Sequence, residues 1–485
     1  MAQRAAKAKE LRRAGIDPYP LRSVRTHTAA QVNALVEALP EGVAEVAGVE
    51  VDVTGRVVAK RDMGRATFLD LQDGSGRIQV LMRQNALEHY DSLRLIDLGD
   101  FIGVHGIPIR TRTGQPTVQA THWTMLTKAL HAPPEKYHGL SDPEIKQRRR
   151  YLDLMANETT RRTFTIRSQV VSAIRRFLDA RGFMEVETPI LHESESGAAA
   201  TPFVTHFNAL DEDRVLRISL ELHLKRLLVG GFEKVYEIGR NFRNEGMSFK
   251  HNPEFTMIET YEAYTDYHGV AEMCEQMVSS VALEVLGTTK TRFRDHDIDL
   301  KAPWRRVTFV DAMRQYGGPD LEEFTTAETL RHELRRRGLD APAKAGYGKL
   351  CDEAMSHYIE PNLIQPTFLL DYPVELSPLA KRKPGNPRFV ERFEAFIAGF
   401  ECGNAYTELN DPIEQRLRFE EQLALREAGD TEVELVDEDF LFALEHGMPP
   451  TGGFGMGIDR LIMILTGEPS IREVILFPPM KSLKE

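Results

Sequence analysis

The sequence predicts an α+β chain of two domains, a small antiparallel β-barrel followed by a larger antiparallel sheet flanked by helices. Three observations carry that expectation. Apolar residues alternate in short runs between residues 46 and 126, with turn-forming glycines and prolines between the runs. Helical spacing of apolar residues sets in after residue 160. Residues 235–261 then read as strand, polar loop, strand, crowded with charged and aromatic side chains.

At 485 residues the chain is too long for one ordinary domain. A hydrophobic content of 42% supplies cores, and 28% charged residues fit a well-solvated globular protein. Lys and Arg number 61 against 73 Asp and Glu, a formal charge of −12. That excludes a general nucleic-acid coat protein and leaves room for a local basic patch. Cys274, Cys351 and Cys402 are far apart and form no CxxC pair, so neither a disulfide framework nor a zinc site is expected. The N-terminus lacks the apolar core of a signal peptide, and no apolar run is long enough to span a membrane. A cytoplasmic protein with no membrane partner is the expectation.

Residues 1–45 read as a helical extension. An Ala-, Lys- and Arg-rich helix stops at Gly15, Asp17-Pro18-Tyr19-Pro20 breaks the chain, and a second helix covers 29–39. The first helix reads equally well as a solvated helix or as an RNA contact. Residues 46–128 hold the barrel. Val49, Val51 and Val53 alternate; residues 67–72 and 77–82 pair across Asp73-Gly74-Ser75-Gly76; residues 101–106 and 117–125 add two strands; a helix interrupts at 85–97. Five strands with one such interruption suit an OB-fold, a frame that commonly binds single-stranded nucleic acid. Lys60, Arg61, Arg65, Arg77 and Arg83 supply positive charge, and Phe68 and Trp123 offer stacking faces. Residues 129–160 form a linker marked by Pro133-Pro134, Ser141-Asp142-Pro143 and Arg148-Arg149-Arg150. The large domain occupies 161–485. Its first helix carries Ile166, Val170, Ile174, Phe177 and Leu178 and stops at Gly182. Residues 184–191 follow as a strand whose Pro189 marks an edge or a junction.

In the second strand of the 235–261 segment, Phe255, Met257, Glu259 and Tyr261 share one face. An acid among aromatics there is costly unless it meets a cation. The loop before it concentrates Arg243, Glu245, Lys250 and His251, of which Arg and His suit phosphate oxygens. Phe255 suits stacking on a base. The stretch resembles the second signature motif of the class II aminoacyl-tRNA synthetases, in its lysyl form. Residues 182–191, GFMEVETPIL, look like the first motif, and residues 452–460, GGFGMGIDR, like the third. Neither a Walker A sequence nor a complete G-x-G-x-x-G fingerprint is present, and Met480-Lys481-Ser482 is a chance echo of a class I signature.

The resemblance covers almost the whole chain and is closest to bacterial lysyl-tRNA synthetases. It implies activation of L-lysine by ATP and transfer to the 3′ end of tRNA(Lys), with Mg²⁺ as cofactor. Arg243 and Arg460 would be catalytic, Arg243 on the α-phosphate. Glu245 would read the adenine amino group, His251 would meet the outer phosphates, and Phe255 with Arg460 would sandwich the base. Glu394 and Glu401 would bind Mg²⁺. They differ by seven positions, so a hairpin near Ala398-Gly399 is needed to bring them to one face. Gly197, Glu221, Glu259, Tyr261, Asn404 and Glu408 would form the lysine pocket. Several carboxylates with no added arginine select a cation and reject aspartate. Asn404, Tyr406 and Glu408 alternate toward one face, while Cys402 is a small apolar filler. In the barrel, Phe68 and Gln79 match anticodon-contact positions. The first motif implies a homodimer.

The chain departs from the family in three places. A loop that usually reads Gly-Gly-Ala-Ala-Ala-Arg is Ser196-Gly197-Ala198-Ala199-Ala200-Thr201, His223 replaces a common Tyr, and His122 replaces a Glu of a related bacterial pattern. Three rivals are opposed. A lysine-activating enzyme that modifies a protein would lack the barrel. An aspartyl or asparaginyl enzyme conflicts with the acidic pocket. A non-catalytic RNA-binding paralogue would have lost Arg243, Glu245, Glu401 or Arg460.

Overall fold

The computed structural model describes residues 1–134, 142–194, 197–198, 200–427 and 436–482. Residues 135–141 of the linker, together with Ser196 and Ala199 of the small-residue loop, lie outside the described residues. The chain divides into two compact units, Met1–Ser141 with Tyr151–Ala156, and Asp142–Arg150 with Asn157–Glu485.

The first unit is built on a closed five-stranded barrel: Val51–Met63, Ala66–Gln72, Arg77–Arg83, Phe101–Arg110 and Pro116–Thr127. Inward positions alternate as a pleated strand requires, with Leu69 and Leu71 buried and Phe68 and Asp70 only half-buried on the outside. Two helices dock on it. Ala2–Arg13 buries Leu11 in the barrel core, and Ala29–Glu37 starts from a capping box between Thr28 and Gln31. Two expectations need correction. The interruption at 85–97 is only a 3₁₀ segment, Tyr90–Leu95, because His89 takes a left-handed φ of 59° that an α-helix does not admit. Trp123 offers no stacking face; it is 5% exposed and packed in the barrel core.

The second unit is organised by an eight-stranded sheet. Its strand order is Arg305–Thr308, Thr367–Pro373, Phe389–Ile397, Phe400–Thr407, Thr451–Gly457, Glu254–Ala263, Lys234–Phe242 and Met184–Glu185. The five inner pairings are antiparallel, and the first and last are parallel. One face carries Ile258, Ala405, Phe454 and Met456 into a core shared with the helices Glu158–Asp179, Tyr267–Leu286 and Ile458–Thr466. The other face is left for polar side chains and lines a cavity. The strand expected over 184–191 is interrupted: only Met184–Glu185 and Leu191–His192 pair as strands. Pro189 has no N–H to give a ladder, and Arg217 bonds the carbonyls of Thr188 and Ile190 from outside. Among the described residues no helix is long and apolar enough to cross a membrane.

Candidate active site

A cavity of about 490 Å³ opens on the polar face of the sheet. Strand alternation dictates its floor. Phe255, Met257, Glu259 and Tyr261 project into it from one strand, Asn404 and Tyr406 from a second, and Arg392 and Glu394 from a third. The hairpin between Glu394 and Glu401 turns through Ala398 and Gly399, both at positive φ (54° and 72°), and a bulge opposite Ala395 and Phe396 offsets the register. Both glutamates therefore line the same cavity. Arg243, Glu245 and His251 enter from the loop after Lys234–Phe242, Glu221 from the first turn of helix Glu221–Val229, and Arg460 from the first turn of helix Ile458–Thr466. Gly197 and Glu408 complete the set. The structure thus gathers thirteen of the fifteen sequence-predicted site residues in one chamber. The other two, Phe68 and Gln79, sit on adjacent strands on the outer face of the barrel, where Gln79 accepts a 3.0 Å hydrogen bond from Thr117.

The glycine run of residues 452–457 has a steric cause. A Cβ on Gly453 would lie 1.9 Å from Glu408 Oε1, and one on Gly455 would come 3.3 Å from the methyl end of Met257. Only a bare backbone at Gly453 lets Glu408 fold over the strand.

The expectation of several carboxylates with no added arginine needs correction, because Arg392 reaches Asn404 and a lysine joins two of the acids. Lys225, fully buried, places Nζ 2.6 Å from Glu221 Oε1 and 2.5 Å from Glu408 Oε2. Burial alone would lower its pKa, but the two carboxylates outweigh that and hold it well above the usual lysine value. Arg392 is a second missed cation. Its Nε donates to Asn404 Oδ1 at 3.0 Å, and its Nη2 pairs with Glu394 Oε1 at 2.5 Å. Both had sequence signals. Lys225 follows Glu221 by four residues on a helix, and Arg392 precedes Glu394 by two on a strand.

Glu259 is the acid left without a direct cation. It is 4% exposed, and its donors are neutral: Tyr261 hydroxyl at 3.0 Å, the Leu220 N–H at 3.3 Å and Ser219 Oγ at 3.5 Å. Burial, then the charge of Glu221, pushes its carboxyl up to about 7. Glu408 is also pushed up by burial, against the pull of Lys225. A chamber with an uncompensated buried carboxylate is built to receive positive charge.

The opposite end is basic. Arg243 lies 5.3 Å over the ring of Phe255. Arg460 Nη1 donates to the carbonyl (2.7 Å) and to Oε2 (2.6 Å) of Glu401. Desolvation raises the Glu401 carboxyl, but Arg460, then Arg392 and Arg243, outweigh it and leave it below the ordinary range. Burial raises Glu394, with Glu401 adding to the rise against Arg392. His251 is lowered by burial and then by Arg460 and Lys250, and its Nδ1 is 2.9 Å from Ser248 Oγ.

The model for class II tRNA synthetases (D, K and N) matches residues 142–481, and that for the OB-fold nucleic acid binding domain matches residues 51–126. The chain belongs to the class II tRNA synthetases of the D, K and N group. Its relatives are more particular. A protein named lysine--tRNA ligase from Dehalococcoides mccartyi (strain ATCC BAA-2100 / JCM 16839 / KCTC 5957 / BAV1) is 52% identical over 490 residues, covering 100% of this chain and 98% of its own length. Proteins of the same name from Moorella thermoacetica and Bacillus subtilis (strain 168) are 51% and 50% identical, covering 100% and 99% of this chain and 98% and 96% of their own lengths.

Lys225→Met tests the ion cluster. It leaves Glu221 and Glu408 buried without their cation, at an expected cost of about 3–5 kcal/mol. The Glu408 carboxyl, already raised by burial, loses the pull of Lys225 and rises further, so the deficit grows as pH rises from 6 to 8.5. Urea unfolding reads it; an unchanged midpoint at both pH values would contradict the cluster's role.

Proposed function

We propose that this chain is a lysine–tRNA ligase that activates L-lysine with ATP and transfers it to tRNA. The carrying observation is the pairing of an arginine-lined end with a buried acidic end in one cavity. The buried, uncompensated Glu259 makes the acidic end a receptor for the substrate's ammonium group, with Tyr261 orienting the carboxylate. Glu221 and Glu408, held by Lys225, line the rest of that end beside Gly197 and Asn404.

In this reading ATP lies with its adenine on Phe255 and Arg460, its amino group on Glu245 and its outer phosphates on His251. Arg243 holds the α-phosphate. The lysine carboxylate attacks the α-phosphorus, the bond to the bridging oxygen breaks, and pyrophosphate leaves. Arg243 offsets the charge that builds on the phosphoryl oxygens. The terminal ribose hydroxyl of tRNA then attacks the adenylate carbonyl, and AMP leaves. Positioning and charge stabilisation suffice, with no covalent enzyme intermediate.

Glu394 and Glu401 fit Mg²⁺. Two acids on neighbouring strands face one cavity, and the Glu394 carboxyl is raised partly by the charge of Glu401. Arg392 takes only Oε1 of Glu394, and Arg460 only Oε2 of Glu401. Among the described residues no group of three His, Cys, Asp or Glu forms a ready-made cage. That suits an ion that Glu394 and Glu401 would hold together with substrate phosphates, and whose charge would offset theirs.

We assign the barrel, residues 46–128, to reading the anticodon through Phe68 and Gln79, residues 161–485 to catalysis, and the cytoplasm as the compartment. We further propose a homodimer. The first motif and the small sheet beside it expose Ile190, Leu191, Val204, Phe207 and Leu210, with Val204 at 65% and Leu210 at 53%. Such a cluster of apolar side chains marks an association surface. Light scattering is expected to give twice the chain mass; an active monomer would refute the dimer.

Pyrophosphate exchange with each of the twenty amino acids tests the activity. Lysine is expected to drive it best, and a stronger response to another amino acid would overturn the assignment. In the same assay Glu259→Gln is expected to raise the lysine KM at least about tenfold, the scale of a lost charged hydrogen bond, and leave the ATP KM nearly unchanged.

A further inference from the structure

The hairpin Lys290–Phe293 and His296–Asp299 lies outside the cavity, yet it touches three elements that line the basic end. Thr291 Oγ1 donates to the carbonyl of Ile464 at 3.0 Å, in the helix that presents Arg460. Phe293 packs edge-on against Phe400, 5.6 Å away, the neighbour of Glu401. At the tip, the Arg294 guanidinium sits 4.9 Å from the ring of Phe249, 5.4 Å from Phe293 and 4.5 Å from Phe400. Phe249 belongs to the loop that carries Lys250 and His251 into the cavity, and it also stacks on Phe400 at 5.5 Å.

Arg294 holds this place at a φ of +54°, in a two-residue turn where glycine or asparagine is the ordinary choice. A left-handed arginine is retained against its backbone preference when its side chain gains elsewhere. Its gain is three aromatic faces, one of which, Phe249, is itself 46% exposed. With Arg294 as the wedge, the loop is tied to the strand of Glu401 from outside. The Phe249 carbonyl accepts the Ile471 N–H at 2.8 Å, a second tether on the same residue.

We propose that Arg294 is a positioning residue for the nucleotide: its guanidinium clamps Phe249 against Phe400 and so fixes the His251-bearing loop relative to Glu401. The inference rests on the assignment of the basic end to ATP. It places a determinant of ATP affinity on a surface turn far along the chain from the signature motifs. Among the described residues Arg294 touches none of the side chains of Glu221, Lys225, Glu259 and Glu408, so the lysine end is expected to respond less than the nucleotide end.

Lysine-dependent pyrophosphate exchange on the full chain tests it with Arg294→Gly and Arg294→Lys, alongside thermal unfolding. Glycine relaxes the turn, so the melting temperature is expected to hold or rise. The ATP KM is expected to rise about threefold or more, the scale of a lost cation–π clamp, with the lysine KM within about twofold. Arg294→Lys keeps a cation over the rings and is expected to recover at least half of the loss. An unchanged ATP KM, or an equal rise in both KM values, overturns the proposal. Absence of lysine-dependent exchange in the unsubstituted protein would instead refute the activity reading on which it rests.

Discussion

Carboxylates buried on the floor of a single cavity must be matched by positive charge, and the rest of the site follows from that constraint. Glu221, Glu259 and Glu408 are all less than 9% exposed. Desolvating three anions together is costly by several kcal/mol each unless cations or donors answer them. The chain answers two with one lysine, Lys225, and leaves Glu259 with neutral donors only. In the proposed reading that remainder is what receives the substrate's ammonium group. The bare backbone at Gly453 and the four-residue spacing of Glu221 and Lys225 both serve the same cluster.

The basic end follows a different logic. Arg243, Arg460 and Arg392 each have a partner before any substrate arrives, in the Phe255 ring, Glu401, and Glu394 with Asn404. Preset partners hold the guanidinium groups in place, so less reorganisation is needed when phosphate charge develops. Arg392 also ties the two ends together, since it bonds Asn404 on the acidic side and Glu394 on the other.

Much of this was legible in the sequence, and the reason is periodicity. The two-residue repeat over Phe255, Met257, Glu259 and Tyr261 fixed which side chains share a face, and the odd spacing of Glu394 and Glu401 demanded the hairpin that is found at Ala398-Gly399. Barrel strands were equally plain from alternation and turns. What was missed depends on the third dimension. Trp123 reads as a stacking face until barrel closure turns it inward. The apolar spacing of residues 85–97 suggests a helix until His89 adopts a left-handed conformation. Lys225 looks like one more helix-face lysine in RISLELHLK, because nothing local says that Glu408, nearly two hundred residues on, closes over it. Arg294 gives no signal at all without its three rings.

If substrate lysine places an ammonium group on Glu259, as proposed, it ionises a carboxyl that burial pushes up to about 7. Calorimetric titration of lysine at pH 7, repeated in buffers of different ionisation enthalpy, measures the protons exchanged on binding. In the proposed reading an ammonium group beside Glu259 pulls its pKa down, so binding of lysine releases protons. A binding enthalpy independent of buffer, with lysine bound and no proton released, would contradict the account.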